Sequence, residues 1–298
     1  MQIINTKKQS HGIYFRVLNL FIYSYVIVIV KVAAKELHYF QLIFMYGCIG
    51  TAISYGLYRH FMPNKPLKFD STYIVRGGFN ICSMATWILA IQTIKLTQAT
   101  AISYLYPIFS VIFGVIFFRE KFTTQTFVGL ILSVIGMYII LKPDFANMAF
   151  GGAIFAVISA LCLTSDHAIS KHQSSRDGWI EQSMYLLFWL SVLTFPIAIW
   201  HWKWMDPKTF LIILGIAVLW VINKALLVSA LARTDLTILS CVTFLKLVYV
   251  SIFAYIHFRE VIDKDSVIGV VVILMSTLIA LRSSVKKDRE LEIDVVKI

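Results

Sequence analysis

The chain is 298 residues long, 59% hydrophobic and 14% charged, with a mean hydropathy of +0.78. An average soluble domain is about half apolar and a quarter charged, and a single core could not hide this much apolar surface, which excludes a soluble enzyme, a disordered chain and a DNA-binding domain. The net charge of +11 is therefore weighed first against a membrane, where Lys and Arg collect on the cytoplasmic side, and only then against nucleic acid.

A helix needs about 20 mostly apolar residues to cross a hydrocarbon core about 30 Å thick. Ten stretches meet that length: 11–33, 38–59, 70–94, 98–118, 124–142, 151–171, 179–201, 208–232, 236–257 and 264–282. They predict an all-α integral membrane protein with ten transmembrane helices. Lys7 and Lys8 precede the first stretch, and Val32-Ala33-Ala34 loosely resembles a cleavage site. The apolar run is nevertheless too long for a secretory signal, so it is read as a helix. The connections are short and charged: Arg59-His60 to Lys68 with Pro63 and Pro66, Arg119-Glu120-Lys121, Asp206-Pro207-Lys208 and Asp263-Lys264-Asp265. The tail from Ser283 alternates basic and acidic residues and reads as solvated and cytoplasmic. Cys48, Cys82, Cys162 and Cys241 all fall in apolar runs without metal spacing, so no disulfide framework is expected.

With the N-terminus inside, the cytoplasmic segments carry sixteen Lys and Arg, Arg16 counted among them, against eight on the other side. That bias predicts both termini in the cytoplasm.

Several ionisable residues lie inside the spans, where a charge costs roughly 3 kcal/mol or more and points by default to function. Arg76, six residues into span three, can snorkel to phosphate or contact a substrate. Asp166 in span six sits on a polar stripe with Ser159, Cys162 and Ser170. Lys224 in span eight, beside Asn223, is placed at a similar depth, so Asp166 and Lys224 are an expected ion pair, permanent or opened by substrate. His167 is either a proton relay or an interfacial group. Lys246 lies about 15 Å from either end of span nine, too deep to snorkel easily, and needs a polar cavity, a carboxylate or helix carbonyls. Trp200, His201, Trp202 and Trp204 read as an interfacial belt. Neither GxxxxGK[ST] nor GxGxxG occurs, so no ATP hydrolysis within the chain is expected to drive transport.

Sliding the sequence on itself by 140 residues aligns Phe118-Arg119-Glu120 with Phe258-Arg259-Glu260, Gly129 with Gly269, Thr97 with Thr237 and Lys31 with Lys171. All five spans of one half then overlay the five of the other. An odd number of spans per half makes the halves inverted repeats, a frequent plan of secondary transporters with a site near the midplane. The expected division is 1–147 for the first repeat, 148–285 for the second and 286–298 for the tail. In this register Lys246 matches Tyr106 and Lys224 matches Met84, so Tyr106 and Met84 are expected to line the same cavity. Pro107 removes a helix hydrogen bond from span four. Its counterpart is Leu247, so the two halves are expected to bend differently. Trp87, Tyr104 and Trp220 are candidate aromatic walls.

Ten spans in two halves, Arg76-Gly77, Ala85-Thr86-Trp87, the run Leu96-Thr97-Gln98-Ala99-Thr100-Ala101, Pro107-Ile108-Phe109 and Glu120 resemble the drug/metabolite transporter superfamily, EamA type. Within it, spans three and four, with Asp166 and Lys171, are similar to carriers of bacterial S-adenosylmethionine uptake. Such carriers often have an acidic residue where this chain has Lys246. The resemblance implies a permease for a small metabolite. The buried tally of two lysines to one aspartate adds a carboxylate-bearing solute, held by Lys246, Lys224, Asn223, Asp166, Tyr106, Trp87, Tyr104, Met84 and Trp220. An exporter of amino acids or related metabolites or drugs is the alternative. Expected partners are that solute, membrane lipid and, as an open option, a second copy of the chain. No nucleic acid, metal, cofactor or catalytic residue is expected.

Overall fold

The computed structural model describes residues 8–33, 37–67, 70–143, 149–258 and 267–279. They form α1 (Lys8–Ala33), α2 (Tyr39–Phe61), α3 (Ser71–Thr93), α4 (Leu96–Ser103), α5 (Leu105–Phe118), α6 (Thr124–Leu141), α7 (Phe150–Gln173), α8 (Trp179–Trp200), α9 (Pro207–Leu231), α10 (Leu236–Thr243), α11 (Leu245–Phe258) and α12 (Val267–Ile279), with no strand among the described residues. Among the described residues nine spans are long and apolar enough to cross a membrane, α4 with α5 and α10 with α11 each counting as one crossing. The shorter α12 lies within the tenth expected stretch. The tail from Ser283 lies outside the described residues.

Helix starts follow local chemistry. The side chains of Asp70, Thr123 and Asp206 accept from the backbone N–H groups of Thr72, Thr126 and Thr209 at 2.9, 3.2 and 3.1 Å. Each satisfies a donor that the first helical turn leaves unpaired. Burial holds up the Asp70 carboxyl, yet its Thr72 hydrogen bonds and the Arg176 guanidinium bring it below the usual range. Bulky apolar side chains such as Ile116, Phe117 and Leu211 point outward. Trp200 and Trp204 stand almost fully exposed at one end of the bundle, as an interfacial belt requires.

The halves pack on each other more than on themselves. α1 lies along α9, α3 along α7 and α2 along α8, and under the 140-residue shift the first two contacts exchange while the third maps onto itself. Ser133 meets Ser276, and Gly136 meets Ile273, the counterpart of Ser133. At the α1–α9 crossing, Asn19 Nδ2 donates to the Asn223 carbonyl and Asn223 Nδ2 to the Asn19 carbonyl, both at 2.9 Å. At the α3–α7 crossing the equivalent residues repeat the arrangement: Ser83 Oγ donates to the Ser159 carbonyl at 2.9 Å and Ser159 Oγ to the Ser83 carbonyl at 2.8 Å. This is the geometry of two inverted five-helix repeats.

Both broken crossings part at equivalent residues, Tyr104 and Phe244, whose rings stack at 5.1 Å. The two halves are expected to bend differently, yet both part at the same place although only one carries a proline there. Pro107 has no N–H to continue the helix. In the other half the Leu247 N–H turns to the Phe244 carbonyl at 3.0 Å instead of one residue further back.

The Phe-Arg-Glu sequence has a clear task in its first copy. Arg119 closes α5 in the left-handed region (φ 52°), and the Glu120 N–H returns to the Gly114 carbonyl at 3.1 Å. That turn aims the Glu120 carboxylate at the start of α10, where it accepts from the N–H groups of Leu236 and Thr237 at 2.9 Å each and from the Thr237 hydroxyl. Lys171 sits 2.7 Å from the same carboxylate. A carboxylate there satisfies unpaired donors and the positive end of the helix dipole. Arg259 and Glu260, the second copy, lie outside the described residues.

α6 and α12 touch backbone to backbone. A Cβ added at Gly136 would lie 2.9 Å from the Gly269 carbonyl, and one at Gly269 would lie 2.8 Å from the Gly136 carbonyl. Close approach of this kind is what small residues permit between membrane helices. Gly136→Val is expected to cost about 1–3 kcal/mol by overpacking and to abolish most monodisperse material in detergent size-exclusion chromatography. Gly56→Val, with nothing within 4 Å of its added Cβ, should elute like the parent.

Candidate functional site

The two helix breaks set the site. Tyr106 and Lys246 are each the second residue after the break, on α5 and α11. Lys246 Nζ lies 5.2 Å from the Tyr104 ring centroid and 5.6 Å from that of Tyr23. The Tyr23 ring continues to Trp220 at 5.6 Å, and Lys224 Nζ lies 5.5 Å from the Trp220 ring. Cation and aromatic faces thus alternate along one line, Tyr104, Lys246, Tyr23, Trp220 and Lys224, with the attraction that a ring quadrupole offers an ammonium. The Tyr104 hydroxyl is buried and has no hydrogen-bond partner.

Arg16 was not part of the expected site. Five residues from the end of span one, it counts as a loop cation, whereas the structure buries it to 4% exposure. Its Nη2 donates to the Tyr106 hydroxyl at 3.1 Å and to Thr243 Oγ1 at 3.0 Å, and its Nη1 donates to Asn19 Oδ1 at 2.8 Å. One guanidinium thereby reaches residues flanking both breaks. Tyr106 also meets His167 Nδ1 at 2.7 Å, and its carbonyl accepts from Thr164 Oγ1 at 3.3 Å. The signal for Arg16 is its helix face: Gly12, Arg16, Asn19 and Tyr23 recur at helical spacing. Removing Arg16 from the loop tally leaves the Lys and Arg bias in place.

The expected Asp166–Lys224 pair does not form. Asp166 accepts from Arg76 Nε at 2.7 Å and from Asn80 Nδ2 at 2.9 Å. Arg76, fully buried, also donates to Gln173 Oε1 at 3.0 Å and Gln182 Oε1 at 2.9 Å, so it neither snorkels nor contacts the central residues. The reason is the antiparallel α3–α7 crossing. Arg76 lies seven residues before Ser83 and Asp166 seven after Ser159, so equal steps from one crossing point bring them face to face. At the equivalent positions of the other crossing stand Ile216 and Val26, both buried in an apolar cluster.

The remaining expected residues divide. Asn223 spends its amide on the clasp with Asn19. Met84 packs beside Trp220 on the apolar cluster that includes Val26 and Ile216. Trp87 packs with Ile102 and Phe155 on a separate cluster of Ala90, Ile94, Ala99 and Ala156. The structure therefore brings together Lys246, Tyr104, Trp220 and Lys224, adds Tyr106 through Arg16, and holds Trp87 apart.

Asp166→Asn leaves the Arg76 guanidinium buried without its counterion and is expected to cost about 3–5 kcal/mol. The double change Arg76→Ile with Asp166→Val copies the apolar pair of the other crossing and should recover most of that loss. Thermal unfolding in detergent checks both.

A solved crystal structure superposes with a TM-score of 0.80 over 91% of this chain and 98% of that chain, at 15% identity, which fixes the fold alone. In sequence the chain is similar to an S-adenosylmethionine uptake transporter of Rickettsia bellii, 27% identical over 94% of this chain and 96% of that protein. It is similar to another so named from Rickettsia prowazekii, 24% identical over 94% and 95%. It is also similar to a pseudopaline exporter of Pseudomonas aeruginosa, 22% identical over 90% and 94%. The profile of the EamA-like transporter family matches residues 10–142 and again 150–282, the 140-residue register of the internal repeat. The chain belongs to the EamA-like transporter family.

Proposed function

We propose that this transporter is a secondary carrier of the bacterial inner membrane that moves a small, polar, carboxylate-bearing metabolite by alternating access. The observation that carries this reading is Lys246. It stands beside the break of a mid-membrane helix, partly exposed, with two aromatic rings around it and no carboxylate among the described residues. An intramembrane ammonium of that kind is poised for a negatively charged group of a solute. Lys224 supplies a second cation, Tyr104 and Trp220 the flat walls, and Tyr106 a hydroxyl; Met84, Asn223, Asp166 and Trp87 hold the helices that carry them.

Two halves of opposite direction supply two related conformations, one open to each side. The described surface ion pairs, Lys65 with Glu181, Arg176 with Asp70 and Asp177, and Lys171 with Glu120 and Asp235, crowd the face where α1 starts. The Lys and Arg bias makes that face cytoplasmic, with both termini there. On this reading the described conformation is sealed toward the cytoplasm. The Rickettsia relatives bring S-adenosylmethionine uptake as one specific form, a solute with a carboxylate, a cationic portion and a stackable base. The Pseudomonas relative, named a pseudopaline exporter, brings export as the other direction, that of the alternative carrier of amino acids or related metabolites or drugs.

Counterflow in proteoliposomes, with labelled S-adenosylmethionine in one arm and labelled amino acids in another, tests the reading. Lys246→Ala and Lys246→Glu are expected to lower the initial rate by at least about tenfold, the loss of one charge-assisted contact, while inserting like the parent. Parental rates in both variants would remove Lys246 from the site.

A further inference from the structure

We propose that the central site takes a solute bearing two anionic groups set several bonds apart, with Arg16 as the second anion-binding residue opposite Lys246; this rests on the carrier reading above. Among the described residues the spans bury Arg16, Arg76 and Lys224 and hold Lys246 partly exposed at mid-depth, against one carboxylate in the same region, Asp166. Asp166 is already committed to Arg76 and Asn80. Lys224 feels the Asp166 charge without pairing with it, while Arg16 and Lys246 have no negative partner among the described residues; Arg16 lies within electrostatic reach of both lysines.

The two arginines make an internal comparison. Arg76 faces a carboxylate and two glutamine carbonyls, the usual condition of a buried guanidinium. Arg16 is buried nearly as deeply and meets only neutral acceptors: the Asn19 amide, the Tyr106 phenol and the Thr243 hydroxyl. Its Nε has no partner among the described residues, just as Arg76 Nη2 has none; what sets Arg16 apart is the missing carboxylate. These contacts hold the planar fork in place but leave its charge unanswered, and an arginine cannot shed its proton to escape the cost. Beside Lys246, the Tyr104 hydroxyl is also buried and has no hydrogen-bond partner among the described residues. A single carboxylate at Lys246 would leave Arg16 and Lys224 as they are. Arg16 and Tyr23, the residue below Lys246, are two helical turns apart on α1, about 10 Å. With the two cationic positions set that far apart along α1, the matching solute carries two carboxylates at the ends of a short chain and not two charges on one atom.

The repeat shows that these cations are additions to the scaffold. Arg16 stands where the other half has Ala156, Lys224 where it has Met84, and Lys246 where it has Tyr106. None of the three is needed for the helix crossing that its counterpart also makes.

The test measures equilibrium binding to the purified full-length protein in lipid nanodiscs, with adipate and glutarate as doubly charged probes. Their monoamides are the singly charged counterparts, and inorganic phosphate and S-adenosylmethionine complete the set. Adipate is expected to bind at least about tenfold more tightly than its monoamide, the ordinary worth of one charge-assisted contact, and phosphate and S-adenosylmethionine more weakly than adipate. Arg16→Gln should bring the adipate-to-monoamide ratio to near one while the monoamide still binds; Arg16→Lys should retain part of it. If Arg16→Gln fails to fold, the parental ratio alone decides. A parental ratio below about threefold, binding of none of the dicarboxylates, or a ratio that survives in Arg16→Gln overturns the proposal. Counterflow separates the two readings: S-adenosylmethionine exchanged by a protein with a ratio near one sinks the dianion and keeps the carrier. A full ratio without counterflow of adipate sinks the carrier and keeps the site.

Discussion

Each half of this protein hides its polar backbone contacts against the other half. In hydrocarbon there is no water to answer an exposed carbonyl or amide, so every such group must be met inside the protein. The reciprocal clasps at the two long crossings, Asn19 with Asn223 and Ser83 with Ser159, answer this demand in the same way on both sides of the pseudo-two-fold. The α2–α8 contact, the Tyr104–Phe244 stack and the α6–α12 glycines add surfaces on the axis itself. The repeats are thus interleaved, and neither contains its own packing face. The meeting of Arg76 with Asp166 follows from that interleaving.

On this symmetric frame the chemistry is deliberately unequal. One crossing is flanked by Arg76 and Asp166, the other by Ile216 and Val26. A buried ion pair is weak support for stability when compared with a well-packed apolar pair, but strict about register once present, because neither member tolerates losing the other. Each central cation also stands at only one of its two equivalent positions, Arg16 against Ala156, Lys224 against Met84 and Lys246 against Tyr106. A symmetric cavity would offer the same field to a solute in either orientation; this one does not.

Much of the architecture is legible in the sequence because it depends on composition and period. Ten apolar stretches, a 140-residue register and a lysine too deep to reach water are local properties of the chain. Partners are not local. Asp166 has Lys224 and Arg76 at comparable depths, and only the knowledge that α3 lies along α7 selects Arg76. Arg16 is hidden by its nearness to a span end, where a long basic side chain ordinarily reaches the interface. The helix breaks mislead in a different way. Proline announces one of them, but the other follows from ring stacking and a redirected amide at Phe244 and Leu247, for which the residue types give no signal.

That pair of breaks has unequal stiffness. At Pro107 the missing hydrogen is a covalent fact, and no movement can restore a bond from that residue to the turn before it. At Leu247 the hydrogen exists and is merely pointed at Phe244; a small rotation would return it to the Thr243 carbonyl and mend the rod. One break is therefore permanent and the other rests on a single redirected hydrogen bond, on the helix that carries Lys246.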